Sequence, residues 1–504
     1  MLFNSGIFLF AFLPVALIGF AILSTLGRRA VLAWLAFASV VFYSWWNWHF
    51  AFVLVGSGVV NFAISKCIAA SVSAGRRKFW LTAGICIDLG ALFYYKYLFH
   101  VFQFFDGVFH VHHQWESIAL PLGISFFTFT QIAYLIDLAQ GEAEPQSVVE
   151  YALFVTFFPH LIAGPILHHR EMMPQFLDKN YGRLRSDDML VGLSWFVLGM
   201  AKKCVLADRL ANFANPAFVA RTHLGVVDAW LGLFSYSLQL YFDFSGYSDM
   251  AIGLARMFSI RFPMNFNSPY KARNIIDFWQ RWHMTLTRYL TLYLYNPISM
   301  SVNRARLQKG KKVSAKAART VEGFTSMLIW PTMATMFLVG IWHGVGTQFM
   351  IFGLVHGLFL SVNHGWRIFR GAPAKDAKPS VIAVAASVLL TWFCVLIGQV
   401  FFRADSTGDA IRYFANMANP HTLSLHHLSF YRGEVLLILA GLFIVWTMPN
   451  TQQILGQIEN PQEKYGLFCI SWKPTLRWSL AIAMLLFIAL LNARNQTAFL
   501  YFQF

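Results

Sequence analysis

Long apolar stretches separated by short polar connections recur along almost the whole chain. Stretches of about 17 to 25 such residues are long enough to cross the hydrocarbon core of a bilayer as a helix. The pattern predicts membrane-spanning helices at 7–26, 30–48, 50–70, 80–100, 119–138, 190–207, 226–245, 327–342, 348–364, 381–401, 434–449 and 477–492. Two further apolar segments, 151–168 and 250–300, are interrupted and do not fit one regular crossing each. We therefore predict an all-α, multi-pass membrane protein with about a dozen crossings.

Composition and charge support this class and orient the chain. Of 504 residues, 57% are hydrophobic and only 12% are charged. The net charge of +16 would suggest nucleic-acid binding in a soluble protein, but here the basic residues concentrate in short connections. Such loops face the cytoplasm; the main ones are 27–29, 74–78, 304–319 and 367–378. This orientation places both termini outside the cytoplasm and predicts contact with membrane lipids but no nucleic-acid partner.

The chain is predicted to form one integral membrane domain over 1–504, with an external tail at 494–504. No internal repeat or low-complexity linker is evident, and the longest polar insertions, 301–326 and 402–433, fit as loops between helices.

The first break in the apolar pattern is "FFPHLIAGPILHHREMMPQF", residues 157–176. Its proline and glycine residues interrupt a stretch too short to cross the membrane and return as regular helix. Lipid cannot satisfy the backbone groups that such a break frees, so the segment must be buried in protein or line a cavity. We expect a re-entrant element there. Its histidines, His160, His168 and His169, fit interface or cytoplasmic-loop positions better than catalytic ones.

The second break, residues 238–290, carries several charged residues within or beside apolar sequence. Ionisable groups inside a membrane are costly, so a cluster of them indicates a polar cavity or a substrate path. Amphipathic helices lying at the cytoplasmic interface would explain the same pattern. We assign the outer charges to structure and keep His283 and Asp243 as candidate functional residues.

The third break, residues 333–359, places His343 and His356 in two apolar helices joined by a glycine-rich bend that includes Gly344. Glycine allows a ligand or another helix to approach the backbone closely. A buried histidine held in one tautomer suits a general base near pH 7. A purely structural hydrogen bond at His343 fits the sequence equally well.

Four motifs in these segments resemble the membrane-bound O-acyltransferase superfamily, and in particular its bacterial members that O-acetylate alginate, other polysaccharides or peptidoglycan. They are "FFPHLIAGPI", "YFDFSGYSDMAIGLARMFSIRFPMNFNSPY", "FWQRWHMTLTRYL" and "GIWHGVGTQFMIFGLVHG". The chain departs from the alginate type after "RYL", where no acidic residue follows. The resemblance implies a location in the bacterial cytoplasmic membrane and a ring of tilted helices around a central tunnel.

The resemblance also implies roles for individual residues. It makes His343, in the "WHG" motif, the catalytic histidine and His283, in the "RWH" motif, its companion. Trp282 and Trp342, which precede these histidines, are expected to line the tunnel or to orient the histidines. Asp243 and Gly344 are likewise expected to line the tunnel or to orient the histidines.

The chain ends in "FLYFQF", residues 499–504. Aromatic residues favour the membrane interface, so an interfacial anchor is one interpretation. Some members of the superfamily end in the pattern FxYxxF, which Phe499, Tyr501 and Phe504 match. A phenol has a pKa of about 10 and leaves more readily than an alkoxide, so a tyrosine ester retains much of the transfer potential of a thioester. The resemblance therefore favours Tyr501 as a carrier of an acyl group.

The predicted function is transfer of an acyl group, most simply acetyl, from a cytosolic thioester to an external polysaccharide or envelope glycan. Acetyl-coenzyme A or an acyl carrier protein would be the donor, and an external SGNH-type acyltransferase would be the partner. No bound cofactor is expected, and no metal, because the sequence contains no convincing spacing of metal ligands. Alternatives are D-alanyl transfer from a carrier protein, transport of a polysaccharide or lipid intermediate, and a structural scaffold in a polymer-export complex.

Overall fold

The fold of the chain divides into two compact units. A computed structural model describes residues 1–111, 113, 115–116, 118–179, 181–219, 224–370, 380–424, 431–456, 468, 470–493 and 499–500. Unit 1 consists of Met1–Ala201, Gly246–Met264 and Pro474–Arg494, and unit 2 consists of Lys202–Ser245, Asn265–Lys473 and Asn495–Phe504. Within the described part of the chain every regular element is a helix, which confirms the all-α prediction.

Unit 1 is held together by apolar helices that pack through aromatic side chains. Phe8, Phe42 and Phe158 are fully buried and pack against one another in edge-to-face and tilted arrangements, so they form the centre of its core. The helices of this unit are Phe8–Phe12, Leu13–Leu23, Arg28–Ser44, Trp48–Ala69, Ala74–Lys96, Leu98–Phe109, Ile124–Gln140, Val148–Thr156, Phe158–Leu161, His169–Leu177, Ser186–Ala201 and Leu476–Asn492.

The broken segment 157–176 lies in unit 1, and its irregular part is buried in protein as predicted. Burial requires that its freed backbone groups find partners. The Phe158 N–H donates to the Ser39 hydroxyl at 3.0 Å. The His160 Nε2 lies 3.1 Å from the Phe154 carbonyl oxygen and donates to it. His160 therefore has a structural role.

Unit 2 contains the third break of the apolar pattern, residues 238–245 and 265–290 of the second break, and the candidate site. Its helices are Lys202–Ala207, Asp208–Val219, Pro269–Lys271, Ile275–Trp279, Met284–Leu290, Thr291–Tyr295, Asn296–Gln308, Ala317–Arg319, Val321–Phe324, Thr325–Ile329, Trp330–His343, Thr347–Arg370, Val381–Arg403, Thr407–Ala418, Pro420–Thr422, Arg432–Thr447 and Thr451–Ile454. The helix Val226–Met257 gives its first part, up to Ser245, to this unit. Trp330–His343 and Thr347–Arg370 pack along each other as a hairpin.

Each segment predicted to cross the membrane overlaps at least one helix. Five described helices are long and apolar enough to cross a bilayer, or six if Ala74–Lys96 and Leu98–Phe109, which are bent by 58°, form one span. This number is below the predicted dozen because several of the other helices are shorter or carry more charge. The chain is a multi-pass membrane protein, whereas the ring, the tunnel and the orientation of the termini stay predictions.

Candidate active site

Three buried histidines, His283, His343 and His356, line one cavity in unit 2. The cavity has a volume of about 40 Å³. Its remaining lining is almost entirely apolar: Leu240, Phe244, Phe278, Trp279, Trp282, Leu286, Phe352, Val395, Gln399 and Phe402. An apolar cavity with a few convergent polar groups is the usual form of a small-molecule site.

His283 is held in an unusual backbone conformation at the start of the helix Met284–Leu290. Its φ of 46° and ψ of 54° lie in the left-handed region, which is uncommon for residues other than glycine, although histidine, asparagine and aspartate adopt it more often than the rest. Such conformations cost of order 1–3 kcal/mol and concentrate at functional sites. The conformation therefore supports a functional role for His283.

Asn265 fixes the tautomer of His283. Its Oδ1 lies 2.8 Å from His283 Nδ1 and also accepts hydrogen bonds from the hydroxyl and the N–H of Thr285. Because the backbone N–H of Thr285 requires an acceptor, the amide oxygen of Asn265 must face this cluster. His283 Nδ1 is then the donor, and the lone pair of the neutral ring lies on Nε2. This arrangement suits a proton acceptor.

His343 is the last residue of the helix Trp330–His343. Its ring meets those of Phe352 and Phe402 edge to face, with interplanar angles of 87° and 80°. The carbonyl end of a helix carries partial negative charge and stabilises an imidazolium. His343 is therefore well placed to accept a proton during a reaction.

The predicted neighbours of the two histidines take different positions. Trp282 lines the cavity and stacks on Phe278. Trp342 is not among the lining residues, but its ring centre lies 4.7 Å from that of His343. At Gly344, a Cβ atom would lie 2.2 Å from the Phe349 ring. Gly344 thus allows the second helix of the hairpin to pack directly against the first.

His356 completes the cavity. Its ring packs against those of Trp279 and Phe352, with centroid distances of 5.3 and 4.7 Å. Its Nδ1 is buried without a hydrogen-bond partner in the described part of the chain. Buried polar groups are nearly always bonded in native proteins, so His356 is a further candidate functional residue.

Gly398 provides the space for His356, because a Cβ at this position would lie 2.2 Å from His356 Nε2. We expect Gly398→Ala to displace the imidazole, to cost about 1–3 kcal/mol of stability by overpacking and to slow the acyl transfer that the sequence motifs predict. Thermal unfolding and a transfer assay on the purified protein would measure both effects. The matched control is Gly90→Ala, also in a helix, where a Cβ meets open space. Equal activity in the two variants would contradict a role for the position of His356.

Asp243 belongs to a buried ion cluster and not to the cavity lining. Its Oδ1 lies 2.6 Å from Lys203 Nζ, and the same ammonium lies 2.8 Å from Asp208 Oδ1. All three side chains are at most 6% exposed. Charges at this depth require partners, and one lysine here binds two carboxylates.

The other carboxylate oxygen of Asp243 binds the backbone of Leu500, the last residue of the chain that the structure describes. The Leu500 N–H donates to Asp243 Oδ2 at 2.9 Å. The ring of Phe499 packs on that of Phe244 with a centroid distance of 5.9 Å, and Phe244 in turn meets the His283 ring at 4.8 Å. Residues 499–500 are thus docked beside the histidine cavity. Tyr501 and Phe504, the other predicted tail residues, lie outside the described residues.

Lys203 is the residue on which this cluster depends. We expect Lys203→Met to destabilise the protein by about 3–5 kcal/mol, because it leaves two buried carboxylates without their shared cation. Thermal unfolding of the detergent-solubilised protein would measure the loss, with Lys312→Met, at an exposed position, as the control. Replacing Asp208 and Asp243 by asparagine in the Lys203→Met background should restore part of the stability. Unchanged stability of Lys203→Met would contradict the pairing.

The sequence analysis missed several residues of the site, among them Asn265, Lys203 and His356. Lys203 lies within a strongly apolar helical stretch, Ser186–Val219. A lysine in such sequence needs a buried carboxylate as its partner, and this requirement could have identified Lys203 as a candidate residue from the sequence. His356 was noted within an apolar helix but not chosen as a site residue. No local pattern told it apart from a histidine packed in a core.

The helices and the cavity define a multi-pass membrane protein with a buried histidine site. A family model for MBOAT, the membrane-bound O-acyltransferase family, matches residues 86–311. The chain is 36% identical to the peptidoglycan O-acetyltransferase of Helicobacter pylori, with 100% of this chain and 98% of the relative covered. It is 35% identical to a probable alginate O-acetylase of Azotobacter vinelandii, with both chains covered completely.

A more distant relative is the teichoic acid D-alanyltransferase of Bacillus subtilis (strain 168), 28% identical over 50% of this chain and 60% of the relative. The chain belongs to the membrane-bound O-acyltransferase family and is an acyltransferase, as its motifs predicted. His283 lies within the segment matched by the family model, and His343 lies beyond it.

Proposed function

We propose that this acyltransferase moves an acetyl group from a cytosolic thioester to the phenol of Tyr501, from which it passes to an external polysaccharide. The observation that carries the proposal is the docking of residues 499–500 beside the histidine cavity, through Asp243 and Phe244. Tyr501 follows Leu500 directly in the sequence, and the proposal rests on this covalent link to a docked residue.

The proposed acyl transfer takes place in two steps, in which His343 and His283 carry the proton. In the first step, the phenolic oxygen of Tyr501 attacks the thioester carbonyl while His343, assisted by His283, accepts the phenolic proton. The C–S bond breaks, and the departing thiolate takes this proton, which leaves an acyl ester on the tyrosine. In the second step, an acceptor hydroxyl attacks the ester, and its proton returns to the departing phenolate.

The cavity lining favours acetyl over D-alanyl. Among the described side chains, three histidines and one glutamine line the cavity, and no carboxylate does. A D-alanyl group carries an ammonium, which needs a negative or strongly accepting partner when it is removed from water. An acetyl group has no such need. The match to the D-alanyltransferase, which covers half of the chain, keeps D-alanyl transfer as the second candidate.

The relatives suggest the class of acceptor. Those with the fullest coverage are named for peptidoglycan and for alginate, and both polymers are polysaccharides. We extend this substrate class to the present chain as part of the proposal, with acetyl-coenzyme A or an acyl carrier protein as donor. An external SGNH-type enzyme would accept the acetyl group from the tyrosine and deliver it to the polymer.

Radiolabelled acetyl-coenzyme A tests the proposal directly. The full chain, purified in detergent and incubated with the donor, should retain label after denaturation and release it with hydroxylamine or mild base, as an ester does. Mass spectrometry should place the acetyl group on the C-terminal peptide. Uptake of substrate into liposomes without labelling would support a transporter instead. Labelling only from a D-alanyl carrier protein would support the second candidate.

A further inference from the structure

A separate cluster of metal-ligating groups lies in unit 1, where the sequence predicted no metal. Asp137 lies near the end of the helix Ile124–Gln140, while His168 and His169 open the helix His169–Leu177. One potential ligand atom from each of the three residues lies within 4.8 Å of the other two. Asp137 Oδ2 is 3.0 Å from His168 Nε2 and 3.2 Å from His169 Nδ1.

His169 gives the strongest indication of a bound cation. Its side chain is 6% exposed. Its Nε2 lies 3.4 Å from the Glu142 carbonyl oxygen and donates to it, so the lone pair of the neutral ring lies on Nδ1. That Nδ1 is buried and makes no hydrogen bond within the described residues, although the Asp137 carboxylate is only 3.2 Å away. A positive charge between these two acceptors, either a metal ion or a proton on Nδ1, removes their repulsion.

The separations fit a metal ion in this position. A tetrahedral zinc site with bonds of about 2.0–2.1 Å holds its ligand atoms about 3.3 Å apart, close to the 3.0 and 3.2 Å seen around Asp137 Oδ2. In addition, the contact between His169 Nδ1 and the carboxylate falls outside hydrogen-bond geometry. Ligands that point to a common ion rather than at each other produce this arrangement.

We propose that Asp137, His168 and His169 bind a divalent transition metal, with zinc as the best match to two imidazoles and one carboxylate. His168 Nδ1 accepts the Arg170 N–H at 3.3 Å, so the metal-free ring carries its proton on Nε2. Binding of zinc displaces that proton, and the hydrogen bond from Arg170 gives way as Nδ1 takes up the ring hydrogen. His168 is 13% exposed, which leaves room for water as a fourth ligand.

The proposed site shares no residue with the histidine cavity and does not depend on the proposed acyl-transfer mechanism. It connects the end of the helix Ile124–Gln140 to the start of His169–Leu177, at the end of the irregular part of the broken segment 157–176. A metal at this point would fix the position of backbone that helical hydrogen bonds do not hold. The site is therefore a structural one by this inference.

The test uses the full chain purified in detergent without a polyhistidine tag. After incubation with zinc and exhaustive dialysis, elemental analysis should find about one zinc per wild-type chain. Asp137→Asn and His169→Gln should each reduce zinc to background, whereas His49→Gln, at an exposed histidine of the same unit, should retain it. Added zinc should raise the melting temperature of the wild type and of the control but not of the two cluster variants.

Cobalt substitution of the wild type keeps the test decisive if a variant fails to fold. A site with nitrogen and oxygen ligands should give visible absorption of bound cobalt that zinc abolishes. Absence of retained zinc and of this absorption in the folded wild type would overturn the proposal and leave an ion pair between the histidines and Asp137. Equal zinc in the wild type and in folded cluster variants would show adventitious binding and would overturn it as well.

Discussion

Tyr501→Phe should abolish transfer of acetyl groups to the polymer while the protein stays folded. The variant keeps the aromatic ring that the tail contributes but lacks the oxygen that forms the ester. Retention of label by purified protein incubated with radiolabelled donor should fall to background. In cells, acetate released from the polymer by alkali should fall to the level of a strain that lacks the protein.

Tyr94→Phe is a suitable control for this experiment, because Tyr94 is exposed on a helix of unit 1. It should label and acetylate as the wild type does. Full polymer acetylation by Tyr501→Phe would refute the covalent step but not the assignment to the acyltransferase family. Labelling of Tyr501→Phe at another residue would place the acyl carrier elsewhere in the chain.

His343→Gln should slow labelling of the protein by about 10²- to 10⁴-fold, the usual contribution of general acid–base catalysis. Glutamine can fill a similar space and form hydrogen bonds, but it cannot take a proton from the phenol. The initial rate of label incorporation by purified protein measures the effect, and size-exclusion chromatography with thermal unfolding checks that the variant is folded.

The control for His343→Gln is His421→Gln, at an exposed histidine in the turn Pro420–Thr422, which should label at the wild-type rate. A scaffold protein would tolerate the change at His343, so undiminished acylation by that variant would contradict the catalytic assignment. A loss confined to affinity for the donor, with the rate of transfer unchanged at saturation, would instead assign His343 to substrate binding.

The helices and two of the cavity histidines were predictable from the sequence for one physical reason. Apolar stretches long enough to cross a bilayer are rare outside membrane helices, and each predicted span overlaps at least one helix. Polar or ionisable groups within such sequence are expensive, which singled out His283 and His343. Both line the cavity.

The partners of these groups were not predictable, because they come from distant parts of the chain. Asp243 was expected to orient a histidine or to lie in the tunnel, whereas its described contacts are with Lys203 and the Leu500 N–H. His168 and His169 lie about 30 residues beyond Asp137, with no spacing typical of a metal site. Only the fold brings one nitrogen of each histidine within 3.0 and 3.2 Å of Asp137 Oδ2.

The contact between Asp243 and Leu500 uses a backbone N–H, and this choice of donor has an evolutionary consequence. Any residue except proline presents the same N–H, so this hydrogen bond does not itself require leucine, whereas the burial of the Leu500 side chain in the apolar core requires an apolar residue. The spacing from this anchor to Tyr501 is also constrained, because one inserted residue would move the phenol by about 3.5 Å. Selection should therefore preserve both the length of the tail and an apolar residue at position 500.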